Sequence, residues 1–223
     1  MARQLARVAR ARLVDGIVVA TSTDPVDDQV ADLGRRHGLD VVRGPLDDVL
    51  ARFALAIEEF APEVVVRLTA DCPLASPTVI DAVIAQFIDT GVDYCSNTLQ
   101  PTFPDGLDAE VVRADVLLDV ARISEDPAER EHVTLGVYRR PERYRLANHE
   151  GARDLSALRW TVDTPEDLAF VRAVYAALYP STPEFDIDDV LGLLQREPGL
   201  NRTTAEEVRN AALIGLDTGA MDA

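Results

Sequence analysis

Apolar and polar positions along the chain follow two rhythms that take turns. Short runs rich in β-branched residues read as strands buried in a sheet interior, at residues 17–20 (IVVA), 41–42, 64–68 (VVVRL), 93–96, 109–112 and 159–162. Between them the apolar residues recur at helical spacing. Leu50, Phe53, Ala54, Ile57 and Phe60 mark a helix over 47–60, and Ile80, Val83, Ile84 and Phe87 mark one that Ser76-Pro77 opens and Gly91 closes. Further helices are expected over 3–13, with Leu5, Val8, Ala9 and Arg12 on one face, and over 25–37, 114–123, 164–178 and 187–195. Residues 127–138 start helically, 144–148 look extended, 205–214 carry a weak helical pattern and 216–223 read as a frayed tail.

Strands separated by helices require crossover connections, so the pattern predicts an α/β fold with three α/β/α layers and a mostly parallel sheet, in one domain over 1–215. Ligands of such sheets sit beyond the carboxyl ends of the strands. The chemistry is therefore expected just after Ala20, Val42, Leu68, Ser96 and Val162.

Composition narrows what that chemistry can be. The chain has 223 residues, 47% of them hydrophobic, enough for one sizeable core. Its net charge is −17, and all 22 basic residues are arginine. Without lysine no Schiff base can form, and a phosphate must be met by arginine, backbone N–H groups or a metal. The acidic balance argues against nucleic-acid and anionic-membrane partners. A nucleotide carrying its own Mg²⁺ remains compatible. No apolar run is long enough to insert in a membrane. The arginine-bearing first residues read as an amphipathic helix and not a secretion signal. Cys72 and Cys95 form no CxxC pair or zinc-spaced cluster. A reduced, cytoplasmic setting is the simplest expectation.

Two strand ends carry an isolated aspartate: Asp71 after 64–68, and Asp163 after 159–162. Together they would make an oxygen-only pair suited to Mg²⁺, although each could equally cap a turn or the following helix. The other strand ends offer Thr21-Ser22, Arg43 with Asp47-Asp48 at a helix start, Asp105 in a turn, and Glu129-Arg130-Glu131-His132. The chain has no GxGxxG, GxxxxGK[ST] or GxSxG loop, which removes dinucleotide, Walker-type and α/β-hydrolase readings.

Seven blocks occur in order: IVVATST (17–23), RGPLDDVL (43–50), VVVRLTADCPL (64–74), YCSNT (94–98), PDGLDAE (104–110), EREHVT (129–134) and LRWTVDTPEDL (158–168). In this combination the chain resembles the cytidylyltransferases of spore-coat and surface-polysaccharide biosynthesis, relatives of the CMP-sugar synthetases. The resemblance implies a nucleotide-diphospho-sugar transferase fold and transfer of CMP from CTP to a sugar, an acidic one by that kinship, with loss of pyrophosphate. It implies Mg²⁺ on Asp71 and Asp163, nucleotide contacts near Thr21, Ser22, Arg43 and Asp48, a sugar side near Asp105, Glu129, Arg130 and His132, and homodimerisation. In such families a hydrophobic strand and a Gly-, Arg- and Lys-containing phosphate loop precede the first helix, whereas Met1 here falls inside that helix. About 30–40 residues of the family pattern are thus expected to be missing, leaving the 17–20 and 64–68 strands with unpaired inner edges. Two other readings stand beside this one. The first is a non-catalytic sugar- or nucleotide-binding relic or scaffold. The second is a glycosyltransferase, which would be expected to carry a second aspartate where Asp71-Cys72-Pro73 has none.

Overall fold

A computed structural model describes residues 1–203. The expected helix over 205–214 and tail over 216–223 lie outside the described residues. The chain begins with α1 (Ala2–Val8), β1 (Val18–Ser22), α2 (Asp28–Arg36) and β2 (Asp40–Gly44), and β1 and β2 pair in parallel. It continues through α3 (Val49–Phe60), β3 (Val64–Arg67), α4 (Pro77–Thr90) and β4 (Tyr94–Ser96). Then come β5 (Glu110–Arg113), α5 (Ala114–Ile123), α6 (Pro127–Glu131), α7 (Leu135–Tyr138), β6 (Leu146–Asn148), α8 (Pro165–Leu178) and α9 (Ile187–Arg196).

The larger sheet has the order β3-β5-β4-β6. β4 and β6 are parallel, while β5 runs against both β3 and β4. The chain enters β5 from β4 through a loop, and without a crossover helix its direction reverses. β1 and β2 form a separate two-stranded sheet. Among the described residues β1 pairs only with β2, and β3 only with β5, so each keeps one edge without a ladder partner.

Alternation along the strands sorts the core into two layers. Val66, Cys95 and Val111 pack with α1, α4, α8 and α9 on one face of the larger sheet. Val65, Tyr94 and Val112 pack with α3, α5 and α7 on the other. This is the expected three-layer architecture. No described helix is long and apolar enough to cross a membrane.

Several local expectations shift. The first helix stops at Val8, not at residue 13, because the Asp81 carboxylate takes the N–H groups of Arg12 and Leu13. Its buried face holds Gln4, Arg7 and Val8, not Leu5 and Arg12. Gln4 donates to Thr69 O and Arg7 to Ala75 O and Phe185 O, so polar side chains dock this helix by filling loop carbonyls. Residues 127–138 break into α6 and α7 at Val133, whose φ is +56°. Residues 159–162 are extended but form only a bridge, Asp105 with Arg159.

α8 begins with a capping box. Thr164 caps the amide of Asp167, and the Asp167 carboxylate returns to the amides of Asp163 and Thr164 while also accepting from Arg159. The Asp167 side chain is 1% exposed. Burial works to raise its pKa, but the Arg159 guanidinium and these hydrogen bonds outweigh burial and hold the carboxyl at about 2. That value lies below the ordinary value of about 3.9, so the stability it contributes is complete above about pH 4 and is lost as the pH falls toward 2. Thermal melts should therefore show a steep loss of Tm between about pH 4 and pH 2. Asp167→Asn should be less stable than the parent at pH 7 and should show a shallower acid transition.

Gly106 has φ +100°, and a Cβ there would stand 2.7 Å from the Trp160 carbonyl carbon and 2.8 Å from Thr161 N. Gly106→Ala should cost about 1–3 kcal/mol in urea unfolding, because both the left-handed backbone and the close approach of residues 160–161 forbid a side chain.

Candidate functional site

Past the end of β3 the chain leaves the sheet edge and reaches Asp71. The extended segment 158–163 runs alongside, held by Trp160 N–H to Asp105 O (2.7 Å) and by Val162 N–H to Asp71 O (2.9 Å). The loops bearing the two predicted aspartates are thus joined backbone to backbone, one residue from Asp163 and at Asp71 itself. The Asp163 side chain is 51% exposed. Its Oδ2 accepts from Thr161 Oγ1 (2.6 Å) and from Arg159 Nη2, and no described residue hydrogen-bonds its Oδ1. Asp71 is half-buried, and among the described residues its carboxylate accepts a side-chain hydrogen bond from the Cys72 thiol at 3.5 Å.

Burial and the neighbouring Asp71 carboxylate push the Cys72 thiol well above its usual pKa, so it stays neutral and offers neither a nucleophile nor a soft metal ligand. Among the described residues no group of three or more His, Cys, Asp or Glu side chains is arranged to hold a metal ion. What remains is a hard, oxygen-only pair. That donor set fits Mg²⁺, which is held by one or two carboxylates and completes its shell with water and phosphate oxygens.

The other predicted residues occupy the carboxyl edge in different ways. Thr21 and Ser22 are buried at the end of β1. The Ser22 N–H donates to Asp27 Oδ2, and its hydroxyl accepts from the Asp24 amide. Arg43 holds the same turn, with Nε on Ser22 O (2.7 Å), Nη2 on Asp24 O (3.1 Å) and Nη1 on Asp28 (2.7 Å). It therefore shapes the β1 loop with every guanidinium nitrogen. Asp48 N-caps α3 through the Ala51 amide and pairs with Arg130 Nε at 2.6 Å.

On the expected sugar side the polar atoms are largely spent within the protein. Arg130 also donates to Ala121 O and Ser124 O. Buried Glu129 accepts from Ser124 Oγ (2.6 Å) and Arg140 Nη1 (2.9 Å). Buried Asp105 pairs with Arg159 at 3.3 Å. His132 ends α6 half-buried, with its carbonyl accepting from the Thr134 amide. These four residues frame the α5–α6–α7 corner and the 102–108 loop; of the predicted residues, Asp48 meets Arg130, Arg43 meets Ser22, and the loops of Asp71 and Asp163 are joined.

Sequence reading missed the residues that hold the pair. Arg159, Thr161 and Asp163 alternate with the buried Trp160 and the core-packed Val162 along an extended segment, so they share one face. That period of two was visible in LRWTVD. It also missed Glu110, buried at the start of β5 beside Arg67 of β3. Glu110 accepts from Tyr94 OH (2.7 Å), Thr134 Oγ1 (2.5 Å) and Arg67, and so ties the last residue of β3 to β4, β5 and the turn before α7.

The chain is similar to several known proteins. The cytidylyltransferase family pattern matches residues 1–182. The spore coat polysaccharide biosynthesis protein SpsF of Bacillus subtilis is 36% identical over 188 residues, spanning 82% of this chain and 76% of that protein. A 3-deoxy-manno-octulosonate cytidylyltransferase of Anaeromyxobacter sp. (strain K) is 30% identical over 221 residues, spanning 79% of this chain and 87% of the relative. A solved cytidylyltransferase from Leptospira borgpetersenii superposes with a TM-score of 0.84 at 26% identity, covering 94% of this chain and 85% of that one. With matching blocks running from α1 through α8 and the same fold around them, the chain belongs to the cytidylyltransferase family and is a nucleotidyltransferase by that membership.

Proposed function

We propose that this chain transfers CMP from CTP to a hydroxyl of an acidic sugar, releasing pyrophosphate, in the biosynthesis of a surface polysaccharide. The observation that carries the reading is the pair of aspartate loops locked together by Val162 N–H to Asp71 O, with Asp163 Oδ1 left without a hydrogen bond from any described residue. Family membership supports the nucleotidyl chemistry. The names of the two curated relatives support a polysaccharide and an acidic sugar.

In the reaction the sugar oxygen forms a bond to the α-phosphorus while the bond to the bridging oxygen of pyrophosphate breaks, and the hydroxyl proton leaves to solvent. Little covalent work falls to the protein, which has to position groups and balance charge. Asp71 and Asp163 are the residues that would hold Mg²⁺, which when bound neutralises phosphate charge as pyrophosphate departs. Arg43 keeps the Thr21-Ser22 turn in shape at one side, and the Asp48–Arg130 pair fixes the start of α3 against the α5–α6 corner at the other.

The test is pyrophosphate release from CTP and Mg²⁺ across a panel of acidic and neutral sugars. Acidic sugars should support turnover, and absence of release with every sugar would remove the transferase reading. Asp71→Asn and Asp163→Asn should each lower turnover by at least about 100-fold while far-ultraviolet circular dichroism stays unchanged. Full activity in either variant would take that residue out of the site.

A further inference from the structure

The two oxygens of Asp163 are treated unequally. Oδ2 receives Thr161 Oγ1 at 2.6 Å and Arg159 Nη2. Oδ1 receives no hydrogen bond from the described residues. A carboxylate turns easily about its last torsion, which has broad and roughly two-fold wells. Two donors on one oxygen remove that freedom and decide which oxygen faces outward.

The donors differ in what else they do. Arg159 is 4% exposed and also serves Asp105 and Asp167, so its charge is shared among three carboxylates. Replacing it would leave buried carboxylates unpaired and would disturb the fold before it informed on the site. Among the described residues the Thr161 hydroxyl makes one side-chain hydrogen bond, to Asp163. Thr161 is buried, its χ1 is stiffened by β-branching, and its neighbours on both sides are fixed by the Trp160–Asp105 and Val162–Asp71 backbone bonds. A neutral donor on such a frame orients the carboxylate without cancelling its charge.

We infer that Thr161 is a positioning residue for the divalent cation: by holding Asp163 Oδ2 it presents Oδ1 as a single-oxygen ligand. This rests on the reading of Asp163 as a ligand of that cation. Residues that orient metal-binding carboxylates typically change metal affinity by about 10–100-fold when removed.

The experiment titrates Mn²⁺ into the full chain, following free Mn²⁺ by electron paramagnetic resonance, with melting curves as a control for folding. Thr161→Val keeps the side-chain shape and removes the donor, Thr161→Ala does so without the added methyl group, and Thr161→Ser restores the hydroxyl. The expected result is Mn²⁺ affinity weakened about tenfold or more in Thr161→Val and Thr161→Ala, and recovered to within a few-fold in Thr161→Ser. A purely structural role would shift the melting temperature and leave Mn²⁺ affinity in the folded protein alone. Affinity equal to the parent in folded Thr161→Val or Thr161→Ala overturns the inference while leaving Asp163 as a ligand. Asp163→Asn separates the two levels. If it binds Mn²⁺ as the parent does, or if the parent binds none, the ligand reading falls and the positioning role falls with it.

Discussion

The loops that carry Asp105 and Asp163 and the start of α8 depend on one ion cluster. Arg159 lies among Asp105, Asp163 and Asp167, and Arg202 adds a second cation to Asp167. Carboxylates in such surroundings stay ionised only with a cation and hydrogen bonds around them. The planar guanidinium, with five fixed donors and no accessible deprotonation, can serve several at once where a lysine ammonium would act as a single point charge. Through this cluster the start of α8, the 102–108 loop and the extended 158–163 segment become one rigid unit. Asp163 is the most exposed member of the cluster.

Much of the architecture was legible in the sequence because local physics and tertiary packing agree there. Ser76-Pro77 and Thr164-Pro165 open helices because a side-chain oxygen and a pre-set φ solve the same end problem in any context. The β-branched runs other than 159–162 became strands for similar reasons. The missed features are those settled at long range. Gln4 and Arg7 are buried although they are polar, because loop carbonyls around Thr69, Ala75 and Phe185 need donors. Nothing near residue 4 announces that need.

The candidate site shows the same division. Asp71 and Asp163 were marked by their places after strands, a rule of topology. Arg130 and Glu129 drew attention as a charged group at a helix start, yet Arg130 answers Asp48, 82 positions earlier in the chain, and Glu129 answers Ser124 and Arg140. Charge in a sequence does not say whether its partner is a ligand or another part of the same protein. The stripe of Arg159, Thr161 and Asp163 was the recoverable miss, since a two-residue period with Trp160 and Val162 turned inward already put three polar groups on one face.

The division of the strands into two sheets bears on how the molecule opens. α3 packs against β1 and β2 and also against α5 and α6, so it is the seam between the small sheet and the larger body. The ion cluster lies wholly on the far side of that seam, on residues 105–202. Partial opening in proteins follows such boundaries, with each cooperative piece carrying its own opening free energy. The loop after β1 thus belongs to the small sheet and is held by its own contacts through Arg43, while the ion cluster braces the larger body on the other side of α3.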